Sequence, residues 1–201
     1  ADHHGYIPRM KAAIEFLGFN PQNLEIILAQ MVSLLKDNQP YKMSKRAGNF
    51  ILMSEILDEI GSDALRFIFL SKKCDTHLEF DIDILKKEDN SNPIFYINYA
   101  HARVKQIFLK AGKSLDDVVE ADLSNLNDEA TNLLFEALNL GSVLNDAFEQ
   151  RALQKIPDYL KGLATSFHKF YYENRVIGTE NEDSLLKLFA LVALSIKMGF
   201  A

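Results

Sequence analysis

The chain has 201 residues, of which 48% are hydrophobic, so it can bury a sizeable core as one large domain or two modest ones. Its 28 acidic residues outnumber its 22 basic residues, and the formal charge of -6 excludes an overall basic field that would hold nucleic acid nonspecifically. The single cysteine, Cys74, excludes an internal disulfide and a cysteine-rich zinc site.

The two ends of the chain predict that it is a piece of a longer protein, and its single cysteine predicts a cytoplasmic one. The sequence begins Ala1-Asp2-His3-His4, with neither an initiator methionine nor a signal peptide. It ends in the apolar run LFALVALSIKMGFA, which contains a serine and a lysine and is too short to span a membrane. A lone cysteine fits a reducing compartment. We therefore expect a cytoplasmic protein without a membrane segment.

The first elements expected are a short helix and a buried strand. In RMKAAIEFL (9–17) the apolar residues recur at helical spacing, and Gly18 follows where a helix would end. The apolar run LEIILAQMVSLL (24–35) is typical of a buried strand in an α/β sheet, although periodicity alone also allows a helix. These two segments predict an α/β beginning.

A basic loop is expected after this strand. The stretch PYKMSKRAGNF (40–50) opens with a proline, carries a glycine and places three cationic side chains in five residues, 42–46. Lysines in a mobile loop suit the charge that develops on a leaving phosphate group. On these residues alone, an ordinary basic surface loop is the favoured interpretation.

From Ser54 onward the pattern is mainly helical. Ser54 is expected to cap a helix that ends at Gly61, and Ser62 or Asp63 to begin the next one. The segment LEFDID (78–83) is expected to be an extended connector. Further helices are predicted for 93–112, with Pro93 at its first position, for 127–150, for 156–176, and from about 184 to the end, with Gly112 and Gly178 at helix ends.

Two aromatic clusters in these helices are candidates for core or for RNA contact. Tyr96, Tyr99 and Arg103 form one stripe, in which we favour core packing for Tyr96 and RNA contact for the other two. His101 lies on a different face and is left open. In FHKFYYENR (167–175), helical spacing predicts core positions for Phe167, Phe170 and Tyr171, and outward positions for Lys169, Tyr172 and Arg175; Phe189 of the last helix is also expected in the core.

Four stretches in this order resemble the C-terminal half of bacterial arginyl-tRNA synthetases, a family of class I synthetases. They are ADHHGYIPRMKAA (1–13), KMSKRAGNF (42–50), DALRFIFL (63–70) and EFDIDILKKEDNSNPIFYINYAHARV (79–104). The resemblance continues more loosely to the end. It implies a mainly α fold, in which a helical anticodon-binding bundle follows the last part of a class I α/β Rossmann-like catalytic domain. The implied division is 1–75 for the catalytic part and 76–201 for the bundle, incomplete at its C-terminus.

The resemblance also implies an activity and a set of site residues. The family activates arginine with ATP, accompanied by Mg²⁺, and transfers it to tRNA(Arg), which gives ATP, arginine and tRNA(Arg) as partners and no membrane. A His-Ile-Gly-His type sequence is absent, so this segment alone is expected to be inactive. The implied residues are Lys42, Ser44 and Lys45 for catalysis; Asp2, His3, His4, Gly5 and Met43 for ATP; Tyr96, Tyr99, Arg103, Lys169, Tyr172 and Arg175 for the anticodon; and none for a metal.

Three alternatives remain open on the sequence. A noncatalytic tRNA-binding helical domain would not need the Lys-Met-Ser-Lys loop. A cysteinyl-type class I synthetase has a related helical domain, but the DHHGY and NYAHAR stretches favour the arginine enzyme. A helical scaffold that binds protein predicts no basic or aromatic cluster on one face of the bundle.

Overall fold

The computed structural model describes residues 3–36, 39–41 and 51–201, and the chain divides into two compact units, Ala1–Asp83 and Ile84–Ala201. Most described residues are helical, as the sequence predicts. The helices are α1 (Tyr6–Phe16), α2 (Met53–Leu70), α3 (Ile82–Leu85), α4 (Pro93–Ala111), α5 (Leu115–Val118), α6 (Asp128–Leu138), α7 (Leu140–Glu149), α8 (Lys155–Glu173) and α9 (Glu182–Phe200), with a 3₁₀ turn at Pro21–Asn23. The strands are β1 (Val32–Lys36), β2 (Gln39–Pro40) and β3 (Leu78–Asp81).

The first unit contains a small sheet in the order β2-β1-β3. β1 pairs in parallel with β3, where Leu34 lies opposite Phe80, and antiparallel with β2. Leu34 and Phe80 are buried, and Phe69 of α2 meets Phe80 edge to face with ring centroids 6.2 Å apart. The segment 78–83, which the sequence predicts as a connector, therefore contains the paired strand β3. The sequence pattern does not reveal this strand, because its partner lies more than forty residues earlier in the chain.

The predicted buried strand 24–35 is correct only at its end, since β1 begins at Val32. Residues 24–31 have no regular secondary structure, although alternate side chains are half-buried, and the Gln30 N–H donates to the Cys74 carbonyl at 2.7 Å. Extended backbone becomes a strand only where a ladder forms, and in the described residues the ladder with β3 begins at Val32. The predicted helix end at Gly18 is confirmed, since this residue has a left-handed φ of 82°.

Helix α2 begins before the predicted cap residue Ser54 and is broken at the predicted position, Gly61. Leu52, not Ser54, is the N-cap residue, and its N–H donates to the Glu55 carboxylate at 2.8 Å. A leucine side chain accepts no hydrogen bond, so only this half of a capping box exists. Gly61 interrupts the helix at φ 80° and ψ 162°, a conformation that essentially only glycine adopts. The predicted break at Gly61 is thus confirmed as a sharp kink.

Both ends of α4 follow from local sequence. The Asn92 side chain accepts from the N–H groups of Ile94 and Phe95, and its amide donates to the Leu85 and Lys87 carbonyls at 2.9 Å each. At the other end Gly112 is left-handed, and the N–H of Gly112 and of the next residue return to carbonyls of the last turn, which is a Schellman motif. Asn92 therefore fixes both the start of α4 and the loop before it.

The single helix predicted for 127–150 is wrong, because the structure has two helices separated at Asn139. Side chains from two other helices occupy the carbonyls at the end of α6. The single proton of the Tyr159 hydroxyl is shared between the Glu136 and Ala137 carbonyls, each 3.0 Å away, and the Ser195 hydroxyl donates to the Ala137 carbonyl at 2.7 Å. These bonds satisfy acceptors that a helix end leaves open.

Helix α9 is the centre of the second unit and packs against α4, α5, α6 and α8. Phe189 is fully buried, with its ring centroid 4.9 Å from that of Phe167 and 6.0 Å from that of Phe170, so the predicted core positions of these three residues are confirmed. Although α9 is apolar, no helix in the described part of the chain combines the length and hydropathy needed to cross a membrane.

Candidate nucleic-acid interface

A groove of about 400 Å³ lies between α4 and α8 in the second unit. α4 contributes residues one turn apart, and α8 contributes residues at spacings of three and four, so each helix presents one stripe to the groove. The lining residues are Asn90, Tyr96, Tyr99, Arg103, Thr165, His168, Lys169, Tyr172 and Glu173.

Arg103 is held at this groove by three side chains. Its guanidinium carbon lies 4.4 Å from the ring centroid of Tyr99 and 5.1 Å from that of Tyr171. Its Nη1 is 3.1 Å from Nδ1 of His168. Contact of a guanidinium with aromatic rings is favourable and also restricts the long side chain. The half-buried Arg103 therefore has a defined position before any ligand is bound.

The hydrogen bonds of His168 determine its tautomer. Arginine only donates, so Nδ1 of His168 accepts from Arg103 and carries no proton. Nε2 must then carry the proton, and it donates to the Tyr96 carbonyl at 3.1 Å. Burial lowers the pKa of His168 below its usual range, the bond to Tyr96 opposes this, and the charge of Arg103 lowers it further. The ring is therefore neutral, with Nε2 protonated.

The outer side of the groove offers an exposed ring and mixed charges. Tyr172 is 88% exposed, whereas Tyr99 is 38% exposed and has its ring against Arg103, Phe95 and His168. Lys169 and Glu173 are both exposed. The groove can thus offer a flat apolar ring, a cation and hydrogen-bonding edges, which is the chemistry that suits an unpaired base with its phosphate.

The structure brings together every residue predicted for anticodon contact except Arg175. Arg175 lines a separate cavity of about 390 Å³ near the start of α9, and its Nε donates to the Ile177 carbonyl at 3.1 Å. Tyr96, favoured for the core, is half-buried, and its ring contacts that of His168 at 4.6 Å. Tyr171, also predicted for the core, is half-buried and joins Phe189 to Arg103. That any of these residues binds RNA remains a prediction.

Four lining residues were missed by the sequence analysis. The spacing of Thr165, His168 and Tyr172 could have indicated one face of α8 that continues the predicted Tyr172 position. Asn90 and Glu173 carry no comparable signal, because a polar residue next to a helix end is ordinary. Their place in the groove follows from the packing of α4 on α8.

Most residues predicted for the ATP site lie outside the described part of the chain. These are Asp2, Lys42, Met43, Ser44 and Lys45. His3, His4 and Gly5 are exposed and immediately precede α1, where the His3 and His4 carbonyls accept the first N–H groups of the helix. The ring of His3 lies edge to face with that of Tyr6, at 5.6 Å. In the described residues, no group of three or more His, Cys, Asp or Glu side chains is placed to share a metal ion.

Comparison with known families matches both parts of the chain. Residues 97–201 match the DALR anticodon binding domain, which is more than half of the chain. Residues 8–81 match the tRNA synthetases class I (I, L, M and V). The two matches correspond to the helical second unit and to most of the first.

Individual relatives agree with these family matches. Arginine--tRNA ligase of Campylobacter jejuni subsp. jejuni serotype O:23/36 is 77% identical over all 201 residues, and that of Campylobacter curvus is 73% identical; the chain covers 38% of each. A crystal structure of an arginyl-tRNA synthetase from Campylobacter jejuni has a TM-score of 0.92 at 76% identity, over the whole chain and 44% of that protein.

A more distant structure supports the fold alone. The Thermus thermophilus arginyl-tRNA synthetase has a TM-score of 0.67 at 20% identity, covering 94% of this chain and 36% of that one. The chain spans 38% of the length of the curated relatives above, and the shared region includes the groove between α4 and α8. The chain therefore belongs to the DALR anticodon binding domain family, and the segment before this domain matches the tRNA synthetases class I (I, L, M and V).

Proposed function

We propose that the chain is part of an enzyme that activates arginine with ATP and transfers it to tRNA(Arg), and that the groove between α4 and α8 binds the anticodon. The observation that carries this proposal is the groove itself, where the exposed Tyr172 ring, the Lys169 cation and the fixed guanidinium of Arg103 lie together. Unpaired RNA bases are bound by aromatic stacking and by hydrogen bonds to their edges.

We propose a different role for each of these residues. Tyr172 offers the most exposed ring of the groove and serves as the stacking surface. The guanidinium of Arg103 already contacts the ring of Tyr99, so we assign it hydrogen bonding through its N–H groups and not stacking on a base. Lys169 neutralises a nearby phosphate, and Glu173 accepts from a base amino group.

We propose that the first unit acts in the adenylation step, in which arginine reacts with ATP. We propose that Lys42 and Lys45 neutralise the pyrophosphate as it leaves, with Ser44 holding the loop, while Asp2 to Gly5 and Met43 contact ATP. Mg²⁺–ATP is then a substrate, and the reaction takes place in the cytoplasm. Because the chain spans 38% of its relatives' length, we expect the 201 residues alone to lack aminoacylation activity.

The anticodon role is tested by the affinity of the full-length ligase for tRNA(Arg). Tyr172→Ala should raise the Kd about 5- to 150-fold, the equivalent of one base-stacking contact, while Tyr172→Phe should keep most of the affinity. Phe135→Ala is the matched control, since Phe135 is a 67% exposed aromatic outside the groove. Equal losses for the Tyr172→Ala and Phe135→Ala variants would contradict the proposal.

The adenylation role is tested separately by ATP–pyrophosphate exchange at saturating tRNA. Lys45→Ala should slow exchange about a hundredfold, because a charge aimed at the leaving group acts mainly in the transition state. The Kd for tRNA should change little. Full exchange activity in this variant would rule out the pyrophosphate role.

A further inference from the structure

We propose that His168 is a positioning residue, which fixes the guanidinium of Arg103 in the orientation that contacts a tRNA base. This inference rests on the anticodon function proposed above for the same groove. His168 was not among the residues that the sequence indicated, and it is 8% exposed, so it contacts a ligand little itself. Its effect is exerted through Arg103.

The hydrogen bond between the two side chains has a fixed direction. Since Arg103 is an obligatory donor, His168 provides a fixed acceptor for Nη1. In the described part of the chain this guanidinium makes its hydrogen bond through Nη1, so the N–H groups of Nη2 and Nε are available to a ligand. The contact thus consumes one donor and orients the others.

The acceptor, Nδ1 of His168, belongs to a ring that is itself held in place. Nε2 of His168 donates to the Tyr96 carbonyl, and the ring packs against those of Tyr96 and Tyr99 at 4.6 and 5.5 Å. The backbone of α4 therefore fixes the ring that fixes Arg103. An arginine held in place beforehand loses little rotamer freedom when it binds, so this arrangement favours binding.

Two substitutions of His168 distinguish a positioning role from a merely structural one. The amide oxygen of Asn occupies nearly the place of Nδ1, so His168→Asn keeps an acceptor for Arg103 but loses the donor to Tyr96. The amide of His168→Gln reaches the place of Nε2 instead, so it keeps that donor but loses the acceptor. The Tyr96 carbonyl lies in a helix and already accepts the N–H of the next turn, so His168→Asn does not leave this carbonyl without a hydrogen bond.

The experiment measures the Kd of the full-length ligase for tRNA(Arg) with both variants and with Tyr172→Ala. We expect His168→Gln to bind about 10- to 150-fold more weakly, the usual effect of losing a hydrogen bond to a charged group, and His168→Asn to stay within about threefold of the wild type. Equal losses in the two variants, or no loss with Gln, overturn the positioning role.

Tyr172→Ala separates this failure from that of the anticodon function. If Tyr172→Ala weakens binding while His168→Gln does not, the positioning role is wrong and the groove keeps its function. If Tyr172→Ala has no effect, the anticodon function fails and the positioning role fails with it.

A measurement on the unaltered 201-residue chain removes any dependence on the folding of a variant. Nitrogen-15 NMR of labelled histidine should find the proton of His168 on Nε2, with Nδ1 unprotonated. A proton on Nδ1 would leave Arg103 without its acceptor and would overturn the inference.

Discussion

Replacing Tyr159 by Phe and Ser195 by Ala, singly and together, should reveal that two hydroxyl groups share one carbonyl acceptor. Both hydroxyls donate to the Ala137 carbonyl at the end of α6, at 3.0 and 2.7 Å. Ala137 is 1% exposed, so water does not readily replace a lost donor there. The two side chains come from α8 and α9, and they fix the point at which α6 stops.

The magnitudes follow from this shared acceptor. Each single variant should lower the free energy of unfolding by about 1 kcal/mol, since the carbonyl keeps the other donor. The double variant leaves the buried carbonyl without either hydroxyl, which adds a desolvation penalty of about 1–3 kcal/mol. The total should then be about 3–5 kcal/mol, with a coupling energy of at least about 1 kcal/mol.

Urea unfolding of the chain, followed by far-ultraviolet circular dichroism, measures these differences. Tyr172→Phe is the matched control for loss of a tyrosine hydroxyl, and we expect no change because Tyr172 is 88% exposed. Strict additivity of the two single variants would refute the shared acceptor. A double variant as stable as the wild type would refute the role of these bonds altogether.

Three further predictions concern stability. Phe189→Ala should cost about 3–5 kcal/mol, because the ring is fully buried, and Phe189→Leu should cost much less; both are measured by urea unfolding. Gly61→Ala should destabilise the chain by about 1–3 kcal/mol because Gly61 has a positive φ. Gly162→Ala, inside α8 with open space around the added carbon, should instead stabilise it by up to about 1 kcal/mol. Shifts of the melting temperature with the same sign for both variants would contradict this. As the pH falls below about 6.5, the stability should decrease, because the unfolded chain binds a proton at His168 that burial resists in the folded state; a pH series in which His168→Asn shows the same slope as the wild type would exclude this residue as a source.

Local conformational rules explain what the sequence predicted correctly. Gly18 and Gly112 end helices because they adopt positive φ, and Asn92-Pro93 begins α4 because an N-cap acceptor and a proline both suit that position. These effects depend on neighbours within a few residues. The stripes on α4 and α8 were likewise predictable from helical spacing.

Contacts between distant residues explain what the sequence did not predict. The break between α6 and α7 depends on hydroxyls of Tyr159 and Ser195, which lie on later helices. β3 is a strand because β1 pairs with it. Within the site, the partner of Arg103 is His168, which is 65 positions away, and no pattern within one helix reveals such a pair.

The most direct test of the groove as the anticodon-binding site is a thermodynamic cycle between Tyr172 and the anticodon. The Kd of the full-length ligase and of its Tyr172→Ala variant is measured for intact tRNA(Arg) and for the same tRNA truncated to its acceptor arm. If the ring of Tyr172 stacks on an anticodon base, the substitution weakens binding of intact tRNA about 5- to 150-fold and leaves binding of the truncated RNA unchanged. An equal loss for both RNAs, or no loss for either, would contradict anticodon binding in the groove between α4 and α8.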